Sequence, residues 1–128
     1  MFVVLGANGR AGGETARALI ERRKPVRVVL RRADQAERWT KLGAEVAIGS
    51  IEDVPGLAAA LSGAEGCFVL CPPPSSGDPY GHANEVGHAL AAAVRQARLP
   101  KVVALSSIGA QHRTGTGVIA TLNSLERH

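Results

Sequence analysis

Five short runs of apolar residues, separated by segments of helical periodicity, constrain the fold of this chain more than any other feature. The runs occupy residues 2–5, 26–30, 45–48, 66–70 and 102–107. Continuous apolar runs are typical of strands that are buried on both faces of a parallel sheet. Strands that alternate with helices and are joined by right-handed crossovers predict an α/β fold, with strand order 3-2-1-4-5 and helices on both faces.

The segments between these runs predict the connections. Asp34 and Glu37 form a D-x-x-E variant of the capping box, which predicts a helix over 34–43. A helix over 54–61 is stopped by a Ser-Gly pair, and a long helix ends near residue 99. The prolines of residues 71–81 predict a loop. No linker divides the chain, so residues 1–128 are predicted to be one domain.

Three glycines follow the first predicted strand in the segment "GANGRAGGE". Gly6 allows a tight turn, Gly9 lets the backbone approach a pyrophosphate, and Gly12 lets the next helix pack closely on the sheet. The N-terminus of that helix offers free N–H groups to phosphates. The pattern is G-x-x-G-x-x-G rather than G-x-G-x-x-G, and a turn without a ligand is the alternative. We therefore predict a Rossmann-like NAD(P)-binding domain with cofactor contacts from Gly6, Asn8, Gly9, Arg10, Ala11 and Gly12.

Arg31 and Arg32 end the second predicted strand, and Arg31 lies nineteen residues after Gly12. An acidic residue at this place binds the ribose 2′-hydroxyl of NAD. An arginine instead pairs with a 2′-phosphate through two parallel hydrogen bonds. The pair predicts NADP(H) in preference to NAD(H), and a solvated pair of arginines is the alternative.

The carboxyl ends of the other strands supply the remaining candidates, because ligands of open α/β sheets bind at that edge. Each candidate rests on its position alone. Ser50 and Ile51 are expected beside the adenine, Cys71 and Pro72 beside the ribose and nicotinamide, and Ser106 and Ser107 near the nicotinamide. Cys67 is interpreted as a core residue. A disulfide to Cys71 is excluded, because four residues of strand span about 13 Å.

Charge and hydropathy narrow the possible partners and location. The net charge is +4 and the pI is about 9.7, but the basic residues are scattered and have no interleaved aromatic residues, so nucleic acid is not the expected partner. No apolar run approaches the ~18 residues of a membrane span. The start "MFVVLG" lacks the features of a signal peptide, which predicts a cytoplasmic location. No Cys/His set has the spacing of a metal site.

Several segments together resemble a known family. "VVLGANGRAGGETARAL", "VRVVLRR" and "VVALSSIGAQHRTGTG" are similar to segments of the atypical short-chain dehydrogenase/reductase group, above all its NmrA-like proteins and NAD(P)H-dependent quinone reductases. The resemblance implies a Rossmann-like fold, NADP(H) binding, and either reduction of a small quinone or carbonyl compound or redox sensing without turnover. Members of this family are considerably longer, so the chain resembles their cofactor-binding half. Ser50 stands where relatives often carry an aspartate near the adenine.

The sequence identifies no catalytic residue. The Y-x-x-x-K pair of the wider group is missing, because Tyr80 is followed by Asn84 at that spacing. Ser106, Ser107, Tyr80 and His82 are the polar residues that could orient a substrate, and a plain surface position is the favoured alternative for His82. Three hypotheses remain: an NADP(H)-dependent oxidoreductase that passes hydride to a quinone or carbonyl acceptor, a non-catalytic NADP(H) sensor, and a chain that binds no ligand well. The fifth strand is expected at an open sheet edge, and a homo-oligomer is predicted to form through that edge or through the last predicted helix, near residues 118–125.

Overall fold

A five-stranded parallel sheet organises the molecule. The structure, a computed structural model, describes residues 1–74 and 76–128; Ser75, inside the predicted loop, lies outside the described residues. The strands are β1 (Phe2–Leu5), β2 (Val26–Leu30), β3 (Glu45–Ile48), β4 (Gly66–Val69) and β5 (Val102–Ala104). They pair in the order β3-β2-β1-β4-β5, and each pairing is parallel. The predicted fold class and strand order are confirmed.

Helices cover both faces of this sheet. They are α1 (Arg10–Glu21), α2 (Ala36–Thr40), α3 (Val54–Leu61), α4 (Pro79–Ala97) and α5 (Ala120–Leu125), with 3₁₀ turns at Ala33–Gln35 and Gly117–Ile119. Side chains alternate across β1. Val3 and Leu5 pack in one core with residues of α3, α4 and α5, whereas Val4 packs in a second core with residues of α1 and α2. Cys67 is buried in the first core, as predicted.

The capping box predicted at Asp34 and Glu37 is wrong. The Asp34 carboxylate instead accepts a hydrogen bond from Arg32 at 2.5 Å, two residues earlier. The chain first forms the 3₁₀ turn, and α2 begins only at Ala36 without a side-chain cap. The Asp34 carboxylate is thus engaged by Arg32 and caps neither the 3₁₀ turn nor α2.

The predicted loop over 71–81 ends earlier than expected, because α4 begins at Pro79. The Asp78 side chain accepts hydrogen bonds from the backbone N–H groups of Tyr80 and Gly81, both at 2.9 Å. Proline suits the first helical position, where its missing N–H has no partner in any case. The Asp-Pro pair is thus a helix start.

Strand β5 is shorter than the predicted run over 102–107. Its pairing with β4 ends with a hydrogen bond from Leu105 N–H to the Val69 carbonyl at 2.9 Å. Beyond that point β4 gives way to Cys71 and the first of three prolines, which have no N–H to donate. The following residues of the predicted strand, Ser106 and Ser107, therefore have no neighbour to pair with.

Candidate functional site

The carboxyl ends of all five strands lie at one edge of the sheet, since every strand runs in the same direction. The turn from β1 to α1 lies at the centre of this edge, because β1 is the middle strand. The segments that follow β2 and β3 lie on one side of the turn. Those that follow β4 and β5 lie on the other. All the sequence-predicted site residues thus follow strand ends on the same edge.

Two of the three glycines are required by the backbone of the turn. Gly6 has a φ of +68°, in the left-handed region that favours glycine. A Cβ on Gly12 would lie 2.4 Å from the Gly6 carbonyl oxygen and 2.7 Å from that of Leu5. Helix α1 therefore packs directly against the end of β1. The adjacent Gly13, which sequence reasoning missed, also packs closely: its Cβ would lie 2.9 Å from the Ala7 carbonyl oxygen.

The N-terminus of α1 differs from those of α3 and α4. Asp53 and Asp78 cap the latter two helices. Helix α1 begins at Arg10, its N-cap residue Gly9 provides no side-chain cap and no other described residue supplies one, and its first turn carries no acidic side chain. First-turn amides have no acceptor within their helix and carry partial positive charge. Together with the exposed Arg10, they make this end of α1 suited to an anion.

Asn8 uses its side chain within the protein. Its Oδ1 accepts a hydrogen bond from Trp39 Nε1 at 3.1 Å, and its Nδ2 donates to Gln35. The Trp39 side chain is fully buried, and sequence reasoning did not connect it with the loop. Little in the sequence pointed to this contact. Trp39 is the only tryptophan of the chain, but it lies 31 residues from Asn8.

The two arginines after β2 are not equivalent. Both are exposed, but the Arg32 guanidinium is paired with Asp34 at 2.5 Å. Within residues 1–74 and 76–128, no ion pair or side-chain hydrogen bond engages Arg31. Arg31 is thus the guanidinium that can pair with a phosphate without first breaking a contact.

The segment after β3 borders a cavity of about 280 Å³. Ser50 donates a hydrogen bond to the Glu52 carboxylate, and Ile51 is half-buried against the first core. The cavity lies between this segment and α4, and no sequence pattern predicts it. Its walls are Ile51, Glu52, Val54, His82, Glu85, Val86 and Ala89.

Cys71 and Pro72 follow β4. The Pro72 carbonyl lies 2.8 Å from His82 Nε2, which ties the proline-rich segment to α4. The Cys71 thiol is half-buried, and this burial raises its pKa. Cys71 is therefore mainly a neutral thiol near neutral pH.

The polar residues predicted to orient a substrate each contact a different protein group. Ser106 donates to the Glu126 carboxylate, and the Tyr80 hydroxyl donates to the Gly117 carbonyl at 3.4 Å. Ser107 is exposed and its hydroxyl lies 3.4 Å from the neighbouring Ile108 carbonyl. In the part of the chain that the structure describes, no hydrogen bond joins these side chains to one another or to His82. They form no preassembled catalytic group.

Comparison with known proteins identifies the class of ligand that the family of this chain binds. A family model described as NAD(P)H-binding matches residues 6–125, which include the glycine loop and all five helices. The chain belongs to this NAD(P)H-binding family. The match agrees with the resemblance to NmrA-like proteins and quinone reductases. In the described residues, no helix has the length and apolarity of a membrane span.

Individual relatives are enzymes that are much longer than this chain. An NAD(P)H azoreductase from Xenophilus azovorans is 33% identical over 72 residues, which cover 56% of this chain and 25% of that protein. A nucleoside-diphosphate-sugar epimerase from Pseudomonas aeruginosa is 28% identical, with a TM-score of 0.75 over 91% of this chain and 36% of the other. An NADPH-dependent quinone oxidoreductase from Escherichia coli, complexed with NADPH, shares the fold at 18% identity, with a TM-score of 0.78 over 99% of this chain and 44% of the other. The chain thus spans less than half the length of each of these proteins.

Proposed function

We propose that residues 1–128 act as one NAD(P)-binding domain that prefers NADP(H) to NAD(H), in a protein that passes hydride to a small quinone or carbonyl acceptor. The observation that carries the proposal is the uncapped N-terminus of α1 behind Gly6 and Gly9, within a chain of an NAD(P)H-binding family. A pyrophosphate at this place accepts hydrogen bonds from the first-turn amides. When bound, the nicotinamide supplies the hydride, and the protein's part is to bind and orient it.

The preference for NADP(H) depends on Arg31. Its exposed, unengaged guanidinium lies at the end of β2, where the 2′-position of the adenosine ribose is bound in folds of this type. Arg32 contributes less, because it must first leave Asp34. Ser50 and Ile51 flank the adenine in this proposal. Cys71 and Pro72, and beyond them Ser106 and Ser107, line the nicotinamide side.

The test is calorimetric titration of the wild type, Arg31→Ala and Arg32→Ala with NADPH and with NADH. A hydrogen bond to a charged group contributes about 1.5–3 kcal/mol, so Arg31→Ala is expected to weaken NADPH binding roughly 10- to 100-fold. NADH binding is expected to stay unchanged. Arg95→Ala, in the last turn of α4 at the opposite edge, is the control for the loss of one positive charge. Equal affinity of the wild type for both nucleotides would contradict the preference.

A non-catalytic NADP(H) sensor is the second candidate, and it is favoured by the engagement of Ser106 by Glu126 and of Tyr80 by Gly117. Each hydroxyl donates its single proton to the protein, so neither can donate a hydrogen bond to a substrate until that contact breaks. Oxidation of NADPH is measured with a panel of small quinones. Turnover supports the reductase, whereas tight binding without turnover supports the sensor.

The proposed assembly is a homo-oligomer that forms through β5. Val103 is 63% exposed, and the strand has one unpaired edge without a proline or charge between residues 102 and 105. Such an edge is a template for pairing with another strand. Light scattering of the wild type and Val103→Lys tests this, with a larger species expected only for the wild type. A monomeric wild type at high concentration would rule it out.

A further inference from the structure

A buried indole holds the glycine loop from outside the turn itself. Trp39 in α2 donates its N–H to Asn8 Oδ1 at 3.1 Å, while Asn8 Nδ2 donates to Gln35. An indole N–H can only donate, so only one orientation of the Asn8 amide satisfies both partners. Asn8 lies between Gly6 and Gly9, and its side chain therefore ties the middle of the loop to the segment that follows β2.

The indole is itself held firmly. It is fully buried in the second core, together with Val4 and Val28 of the central strands. The guanidinium carbons of Arg17 and Arg38 lie 5.6 Å and 5.5 Å from the indole ring centre, within the range of cation–π contacts. Movement of the indole would disturb the core, and its N–H is therefore a fixed donor.

We propose that Trp39 is a positioning residue for the dinucleotide, which acts through Asn8 to hold the glycine loop in the conformation that receives the pyrophosphate. The inference rests on the proposed function of this loop. A loop that is already ordered pays less conformational entropy when its ligand binds. Trp39 is buried beneath the loop and makes its contribution without touching the ligand.

A purely structural role for Trp39 makes a different prediction. Any buried indole N–H needs a partner, so its loss lowers stability whether or not the loop is affected. A positioning role also weakens binding, and by the same factor for NADPH and NADH, because both carry the pyrophosphate. The preference that depends on Arg31 then stays unchanged.

The test replaces the donor but keeps an aromatic side chain. Trp39→Phe is expected to weaken the binding of NADPH and NADH alike, by about three- to tenfold, the value of one hydrogen bond. Hydrogen exchange of the backbone amides of residues 7–13 in the unliganded protein is expected to accelerate by a similar factor. Leu61→Val, at the end of α3 in the first core, is the control for lost packing and is expected to change neither.

A double-mutant cycle identifies the route. Asn8→Ala removes the acceptor from an exposed position, and in that background Trp39→Phe is expected to weaken binding no further. If Trp39→Phe does not fold, the same binding and hydrogen-exchange measurements are made on Asn8→Ala alone, with the same expected changes. Unchanged affinity and unchanged exchange in the single variants, a full additional loss in the double variant, or a loss confined to NADPH would each overturn the proposal. If the wild type binds neither nucleotide, the proposed function fails, and the exchange rates of residues 7–13 still decide whether Trp39 orders the loop.

Discussion

Replacement of Gly12 by alanine is expected to lower the stability of the fold, whereas replacement of Gly9 is expected to weaken NADPH binding. In Gly12→Ala, the new Cβ lies 2.4 Å from the Gly6 carbonyl oxygen and 2.7 Å from that of Leu5. Both are backbone atoms at the end of the central strand and cannot rotate away. Helix α1 must therefore shift from the sheet, whereas no such shift is needed at Gly9.

The cost of Gly12→Ala follows from these contacts. Overpacking of a core costs about 1–3 kcal/mol, and contacts this short place the change at the upper end of that range. The better helix propensity of alanine offsets up to about 1 kcal/mol of this loss of unfolding free energy. The expected net loss is about 2 kcal/mol of unfolding free energy, which corresponds to a fall in Tm of about 6–10 °C for a domain of this size.

Gly9→Ala is expected to leave the fold intact and to impair binding. Gly9 has φ −86° and ψ 174°, an extended conformation that alanine adopts readily, and its Cβ would meet only the Gly6 carbonyl oxygen, at 3.3 Å. This close contact is offset by the reduced entropy of the unfolded chain, about 0.4–1 kcal/mol. A methyl group at the start of α1 nevertheless blocks the approach of a pyrophosphate. We expect a Tm within about 2 °C of the wild type and NADPH binding at least about tenfold weaker.

Thermal unfolding followed by circular dichroism, combined with calorimetric titration of NADPH, separates the two effects. Each variant is the control for the other, since both add one methyl group to the same loop. A Gly12→Ala protein with the Tm of the wild type would refute the packing argument. A Gly9→Ala protein that binds NADPH normally would refute the assignment of the loop to the pyrophosphate.

Three further predictions concern other parts of the molecule. Alkylation at pH 8, followed by mass spectrometry, is expected to modify Cys71 before Cys67, because burial raises the pKa of the Cys67 thiol to about 11; equal rates would contradict this. Asp78→Ala is expected to lower the unfolding free energy by about 1 kcal/mol, seen in urea denaturation, because two N–H groups of α4 lose their acceptor, while Asp78→Asn retains most of it. The amino terminus lowers the pKa of the Glu65 carboxyl in the folded protein. The ion pair therefore stabilises the fold at pH values above the pKa that Glu65 has in the unfolded chain, and this stabilisation is lost as the pH falls through its lower pKa in the folded protein. Wild type and Glu65→Gln are therefore expected to differ in Tm at pH 7 and to converge in strong acid, and a difference that persists there would be inconsistent with this origin.

The sheet was predictable from the sequence because each strand is defined by its own apolar run. Burial on both faces leaves a continuous apolar signal in β1 and β4, and one interrupted only by Arg27 in β2. The order of strands follows from general rules of α/β folds. The start of α4 was also encoded locally, in Asp78 and Pro79, but the surrounding prolines favoured a loop. The end of β5 could not be predicted from its own residues, because it depends on where the neighbouring strand β4 ends.

The candidate site was predictable only in part, because some of its contacts join residues that are distant in the sequence. Gly6, Gly9 and Gly12 are recognisable because backbone geometry demands glycine at fixed spacing. The contact between Asn8 and Trp39 joins residues 31 positions apart and follows no repeating pattern. The pairing of Arg32 with Asp34 depends on the 3₁₀ turn that places them together. Hydrogen bonds between side chains such as these depend on the folded geometry, so they could not be predicted from the sequence.

The central place of β1 also has a consequence for how the chain acquires its structure. Phe2 pairs with Val26 on one side and with Gly66 on the other, so the earliest of the five strands in the sequence waits through the longest stretch of chain for its second neighbour. During translation, the edge of β1 that pairs with β4 stays unpaired until β4 has left the ribosome. Pairing between residues so far apart in sequence slows folding, because a long loop must close before the contact forms. The glycine-rich turn thus follows a strand whose unpaired edge is exposed for a large part of chain synthesis, and such exposed edges favour aggregation.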